Sequence, residues 1–227
     1  MININSFKVL IETITNKSEN GGYSIPQFND AIEAVTWQYI DKCIKELRAY
    51  QLGNNKNFAL IAKCERALFD LIVTSNVSIS SLGVGSLPND WYDTKGINYK
   101  YVKQNPLTVK TYPIREVSAD EFAQFSISQL IAPTKKHPIA TYYNQVLNVL
   151  PKDLGRVELI YYKEAATPYW GWIIQDNEAV YDASTSVDIP LSPQSNNELA
   201  FMFCQYLGLS IKDEFIEQFS QAEEGKH

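Results

Sequence analysis

Between Arg156 and Leu191 the chain reads RVELIYYKEAATPYWGWIIQDNEAVYDASTSVDIPL, a run dense in aromatic and β-branched residues that favours strands. Val157, Leu159 and Tyr161 alternate with Glu158, Ile160 and Tyr162, the two-residue period of a strand. Trp170, Trp172 and Ile174 alternate in the same way, so the two runs are expected to pair as a hairpin across the loop around Ala165 to Pro168, with Asp176-Asn177 as the next turn. After Asp188 the pattern leaves the sheet. Ser195-Asn196-Asn197-Glu198 reads as the cap of a helix that stops at Gly208, and Ser210 as the cap of a last one. A chain that ends in this way must combine a packed sheet with a helical appendage.

The other end is helical. Phe7, Leu10, Ile11 and Ile14 sit at helical spacing within residues 5–15, before the polar break NKSENGGYS. Ser24-Ile25-Pro26-Gln27 is a capping-box pattern, and Tyr23 and Phe28 occupy the flanking positions of a hydrophobic staple. From there Phe28, Ile32, Val35, Tyr39, Cys43 and Leu47 form one apolar stripe, with acidic residues early and Lys42, Lys45 and Arg48 late, as the helix dipole favours. The helix is expected to end near Gly53. A third helix, about Phe58 to Val73, carries Ile61, Cys64, Leu68 and Ile72 and can pack antiparallel on the second.

Between these ends the period shifts. VTSNVSISSLGVGSLP reads as a strand leading into a loop, Leu87 to Tyr92 as a turn, and Tyr99 to Lys103 and Lys110 to Arg115 as strands, the latter broken at Pro113. Ser118-Ala119-Asp120-Glu121 opens a helix of about eleven residues bearing Phe122, Phe125, Ile127 and Leu130. Pro133 and Pro138 bracket a loop, after which Ala140 to Leu150 reads as one strand. The expected class is α+β: an N-terminal helical hairpin (residues 1–73), a central, mostly antiparallel β-sheet region with one inserted helix (74–191), and a C-terminal helical pair with an acidic tail (192–227).

Motifs that carry chemistry are scarce. His137 is the one internal histidine, in a Lys135-Lys136-His137-Pro138 setting that reads as an exposed loop. Cys43, Cys64 and Cys204 show no zinc spacing and are expected to be buried, reduced thiols. The carboxylate pairs Asp120/Glu121 and Asp213/Glu214 fall in helix first turns, where free N–H groups favour them without catalysis. No phosphate-loop or nucleophile-elbow pattern occurs. No cofactor or metal is therefore expected, and no enzyme activity.

A net charge of −6 disfavours a chain whose task is to neutralise phosphates. The N-terminus lacks the charged and apolar regions of a signal peptide, and no run nears the roughly 20 apolar residues of a membrane span, so synthesis and folding in the cytosol with no membrane partner are expected. The 14 Tyr, 10 Phe and 4 Trp are a surplus of the kind that goes to interfaces.

Taken in order, several short motifs resemble a tailed-phage neck protein, of the ring-forming head-completion or head-tail connector type of crAss-like podoviruses. They are Ser-Ile-Pro-Gln-Phe-Asn-Asp-Ala at 24–31, Leu-Pro-Asn-Asp at 87–90, Val-Leu-Pro at 149–151 and Val-Glu-Leu-Ile-Tyr-Tyr before Thr-Pro-Tyr-Trp. Ser-x-x-Ile-Pro-Leu at 186–191 and Leu-Gly-Leu-Ser-Ile-Lys-Asp-Glu at 207–214 complete the set. The resemblance implies a non-enzymatic virion subunit, made in the host cytoplasm and placed in the neck at the portal vertex. It would form a cyclic ring with copies of itself, between the portal protein and tail or other neck proteins, around DNA that it does not bind sequence-specifically.

Contact residues are expected on loops and the sheet edge at Trp91, Tyr99, Tyr101, Pro168, Tyr169 and Trp170, and on the last helix at Phe215 and Phe219. The alternative is a small-molecule or glycan-binding domain that uses a Trp170/Trp172 aromatic face. A concave aromatic pocket would favour the ligand site, and exposed aromatic edges would favour subunit contact.

Overall fold

The computed structural model describes residues 1–15, 23–54, 57–104, 107–128 and 130–209. The fold is α+β, with helices at the N-terminal end, strands in the middle and a helix near the C-terminal end. The expected last helix, with Ser210, Phe215 and Phe219, lies outside the described residues. The chain divides into two compact units: Met1–Leu71 together with Ala165–His227, and Ile72–Glu164. The first boundary lies close to the expected one. The stretch 165–191, read as part of the sheet region, belongs instead with the terminal helices.

The first unit is built on helices α1 (Ile4–Ile14), α2 (Ile25–Gln51), α3 (Phe58–Ala67) and α5 (Asn196–Leu207). The α2 start follows its local chemistry: Gln27 N–H donates to Ser24 Oγ and Ser24 N–H to Gln27 Oε1, closing the capping box. Tyr23 stacks on Phe28 with ring centroids 5.7 Å apart, which is the staple. The α2 stripe is buried from Phe28 to Leu47. Phe7, Phe28 and Phe203 meet at centroid distances of 5.2 to 6.5 Å, so α1, α2 and α5 share one aromatic centre. α5 stops at Gly208, whose φ of +64° is the left-handed conformation that glycine adopts without penalty. α3 is shorter than expected: it ends at Ala67, and a 3₁₀ turn at Phe69–Leu71 takes the chain out of the unit.

The second unit holds two four-stranded sheets. One has the order β1 (Ile72–Ser78), β8 (Arg156–Lys163), β3 (Trp91–Gln104), β4 (Leu107–Pro113), all antiparallel. The other has β2 (Val84–Ser86), β7 (Val146–Leu150), β6 (Ile139–Tyr143), β5 (Arg115–Glu116), antiparallel except for the β5–β6 pair. Val77, Ile97, Leu159, Ala140, Leu147 and Val149 belong to one buried cluster, so the two sheets close over a common core. The inserted helix α4 (Ala119–Ile127) has the expected capping box between Ser118 and Glu121, and lays Phe122 and Phe125 against Val117, Ile139 and Leu150.

Three strand readings are corrected. Ala140 to Leu150 is a hairpin, β6 and β7, turning at Asn144-Gln145, both with positive φ. The Trp91 end of the expected turn and Tyr99 to Lys103 are parts of one strand, β3, which carries register shifts at Trp91/Asp93 and Thr94/Gly96. The run at 157–162 does not pair with the Trp172 run: β8 lies between β1 and β3. α4 also ends at Ile127, leaving Leu130 beyond it.

Candidate interaction surface

The aromatic run Pro168–Trp172 splits at Gly171. Trp170 is 4% exposed and pinned on every polar atom it offers. Its indole Nε1–H donates to Asn5 Oδ1 (3.1 Å), its backbone N–H to Asn29 Oδ1 (2.8 Å), and its carbonyl accepts from Asn29 Nδ2 (3.3 Å). Lys8 Nζ stands 4.5 Å from the ring centroid and is itself paired with Glu12 at 2.7 Å. Helices α1 and α2 thus hold this tryptophan in place.

Gly171 is where the chain passes beneath the loop 182–186. A Cβ built there would lie 2.1 Å from Thr185 Oγ1, so no side chain fits without displacement. The loop is a nest of short bonds around Asp182: Ser184 N–H and Oγ–H donate to Oδ1, Thr185 Oγ1–H to Oδ2, and Ser186 Oγ–H to the Asp182 carbonyl. The Ser184 and Thr185 bonds hold the Asp182 carboxyl below its ordinary range. Gly171 N–H donates to Ser186 Oγ and its carbonyl accepts from Asp182 N–H, which fixes the base of a hairpin that starts at the next residue.

That hairpin is a two-stranded sheet, β9 (Trp172–Gln175) and β10 (Glu178–Tyr181), paired only with each other. Asp176 and Asn177 make the turn, with φ of +52° and +64°. No residue of either strand is buried. Ile174 is 70% exposed, and Ile173, Val180 and Trp172 are also exposed. Register puts Trp172, Ile174, Ala179 and Tyr181 on one face and Ile173, Gln175, Glu178 and Val180 on the other. Tyr181 is the inner anchor, its ring 5.8 Å from that of Trp170. Apolar side chains on both faces of an isolated hairpin are unsatisfied by the unit that carries them.

In the second unit, exposed apolar residues gather around α4. Ile127 is 82% and Leu130 99% exposed, and Ile131 is exposed as well. Beside them lies a cavity of about 540 Å³ lined by Phe125, Ile131, Pro133, Pro138 and Ile139 together with Arg115 and His137. The Arg115 guanidinium carbon is 5.4 Å from the Phe125 ring centroid. Lys135, next to this cavity in sequence, is engaged with Asp153 at 2.7 Å. Among the described residues no cluster of three or more His, Cys, Asp or Glu is arranged to hold a metal ion, and no helix is long and apolar enough to cross a membrane.

The eight expected contact residues are spread unevenly. Tyr101 and Tyr169 are exposed. Trp91 is half-buried, its ring edge-on to Tyr142 and its Nε1–H donating to Thr94. Tyr99, Pro168 and Trp170 are corrected to interior positions: Tyr99 belongs to the common sheet core, and Pro168 and Trp170 are buried in the helical unit. Phe215 and Phe219 lie outside the described residues. With Trp170 buried and Trp172 exposed, the two rings do not form one aromatic face. Ile173, Ile174, Val180 and the α4 cavity were not anticipated; the signal in the sequence was Trp-Ile-Ile beside an acidic turn, apolar on both faces of a strand.

The first unit also carries a partly buried charge cluster. Glu198, in the first turn of α5, accepts from Lys42 Nζ (2.9 Å), Lys63 Nζ (2.8 Å) and Tyr39 Oη (3.1 Å). Burial pushes its carboxyl up, but the bonds from Lys63 and Lys42 outweigh that and hold it below its ordinary value. Cys43 and Cys64 meet next to this cluster; both are buried, and the Cys64 hydrogen bond and burial push the Cys43 thiol up. Cys204 is buried, and burial pushes its thiol up to about 11. All three are free. The Cys43 hydrogen bond holds the Cys64 thiol below its ordinary value, and the arrangement ties α2, α3 and α5 together.

Compared with known proteins, the chain matches no family model and no curated sequence.

Proposed function

We propose that this chain is a structural subunit of a tailed-phage neck, assembled with copies of itself into a ring at the portal vertex that joins the portal to the tail around the DNA channel. The observation that carries the reading is the β9–β10 hairpin, which exposes Ile173 and Val180 on one face and Ile174 on the other. Contacts of one patch on a different patch of the next copy close into a ring when the rotation between copies closes, which is the assembly such a subunit needs. The ordered motifs from Ser24 to Glu214 point the same way, and a net charge of −6 suits a wall that lets DNA pass without gripping it.

In this reading the role is non-enzymatic, the location is the virion neck after synthesis in the host cytoplasm, and the partners are the portal protein and adjoining neck or tail proteins. The glycan or small-molecule reading required a joint Trp170/Trp172 face, and the burial of Trp170 leaves it without a supporting observation. Quantitative mass spectrometry of purified virions tests the proposal. A copy ratio to portal protein near one, or a small whole multiple, is expected; absence from particles would overturn it.

A further inference from the structure

The hairpin and the α4 cavity are complementary in two independent respects. The cavity is walled by aromatic, aliphatic and proline side chains, and its ionisable lining residues are Arg115 and His137, with no carboxylate among the described ones. Arg115 is held at the wall against Phe125, so its charge faces an apolar surface. The hairpin, Trp172 to Tyr181, contains two carboxylates, Asp176 and Glu178, and no cation. It offers apolar side chains that its own unit leaves open.

Register decides which face is free to dock. Tyr181 leans on Trp170, which ties back the base of the face that carries Trp172, Ile174 and Tyr181; Ile174 itself is open, but the carboxylate of Glu178 is on the opposite face. The opposite face presents Ile173 directly across from Val180, with Glu178 across from Gln175 nearer the tip. That face has an apolar pair and a carboxylate one step along the strand, and the cavity has an apolar wall and a guanidinium at its side.

We propose that the β9–β10 hairpin of one copy seats in the Phe125/Ile131 cavity of a second copy, with Ile173 and Val180 on the apolar wall and Glu178 paired with Arg115. The contact is heterologous: donor and acceptor are different patches, so each copy gives a hairpin and receives one. It rests on the proposed ring and names the joint from which that ring is made. Apolar contact supplies the attraction, and the Glu178–Arg115 pair fixes register and excludes a copy docked by the wrong face.

Trapping between two distinguishable copies tests the joint. Full-length Ile173→Cys protein and full-length Ile131→Cys protein, one carrying a larger tag, are mixed and treated with a short bis-maleimide. Both positions are exposed, so neither change threatens folding, and the buried native thiols are controlled by treating the unchanged protein. A covalent species with one copy of each is expected in the mixture and in neither protein alone. Arg115→Glu in the acceptor should lower its yield about tenfold, equivalent to about 1.4 kcal/mol, and Glu178→Arg in the donor should restore it.

No linked species in the mixture, equal linkage of the Ile173→Cys protein to itself, or linkage only from Ile174→Cys would each overturn the proposal. So would a double Ile173→Cys/Ile131→Cys chain that links only within itself. Particle counting reports separately: a chain found in virions without this cross-link keeps its place in the neck and loses this joint, whereas a cross-linked chain absent from virions self-associates elsewhere.

Discussion

Trp170 and Trp172 are separated by a single glycine and have opposite fates. Trp170 and its neighbours are held by two asparagines, a lysine and a tightly bonded loop, whereas the hairpin that begins at Trp172 has its apolar side chains open on both faces. The difference shows that aromatic density in a sequence does not identify a surface. What decides is whether each polar atom of the ring and its backbone has a partner inside the same unit. Where it has, the aromatic is scaffold; where apolar groups are left open on two faces, the element is built for something outside the unit.

The contrast can be broken from the buried side. Trp170→Ala should cost about 3–5 kcal/mol in urea unfolding, since it empties a large site and strands Asn5. A loss below about 1 kcal/mol would mean that the ring is not scaffold. Gly171→Ala should cost roughly 2–3 kcal/mol, because the new methyl group meets Thr185 and the loop that clamps the hairpin base must move. Its signature is a lower melting temperature, with loosened proteolytic protection at residues 182–186.

Glu198 sharpens the same contrast with charge, because its carboxylate is paired within its unit while Asp176 and Glu178 face outward. Glu198→Gln should cost about 2 kcal/mol at neutral pH, between the values for exposed and fully buried pairs. Its carboxyl is held below the ordinary 4.5, so its stabilisation is complete above that pH and is lost as pH falls through the lower folded value. The deficit of the variant should therefore close in acid; a deficit unchanged from pH 7 to the acid limb would show that the charge is not what matters. The smallest effect on stability belongs to the hairpin: Ile173→Ser should shift unfolding by less than about 0.5 kcal/mol while removing self-association in sedimentation. A large loss of stability there would make the hairpin part of the core.

Elements governed by local chemistry were legible. The capping boxes at Ser24 and Ser118, the Tyr23–Phe28 staple, the α2 stripe and the Gly208 stop depend on residues within a few positions of each other, and each formed as its pattern indicates. Strand partners were not, because β8 pairs with β1 and β3 across sixty or more residues of chain and nothing in its own alternation names them. The β6–β7 turn was hidden by Asn144-Gln145, where a glutamine takes a left-handed conformation usually signalled by glycine. The bulges in β3 broke the alternation that would have revealed its fourteen-residue length. At the surface, the apparent period of Trp170, Trp172 and Ile174 suggested one face, but the strand begins only at Trp172. Of the expected contact positions, Tyr101 and Tyr169 are open, whereas Tyr99, Pro168 and Trp170 serve the interior.

The helical unit is made of two separated lengths of chain with the sheet unit spliced between them. On a ribosome, which releases a chain from its N-terminal end, every strand of the sheet unit emerges before α5 exists. Phe7 and Phe28 must then wait for Phe203, and Lys42 and Lys63 for Glu198, until nearly all of the chain has been made. Entry and exit impose no strain on that wait, since Ile72 and Tyr162 are paired neighbours on β1 and β8 and the sheet can close like a finished parenthesis. The hairpin emerges in the same late stretch of chain as α5, so the surface proposed to recruit other copies is made only as its own unit is being completed.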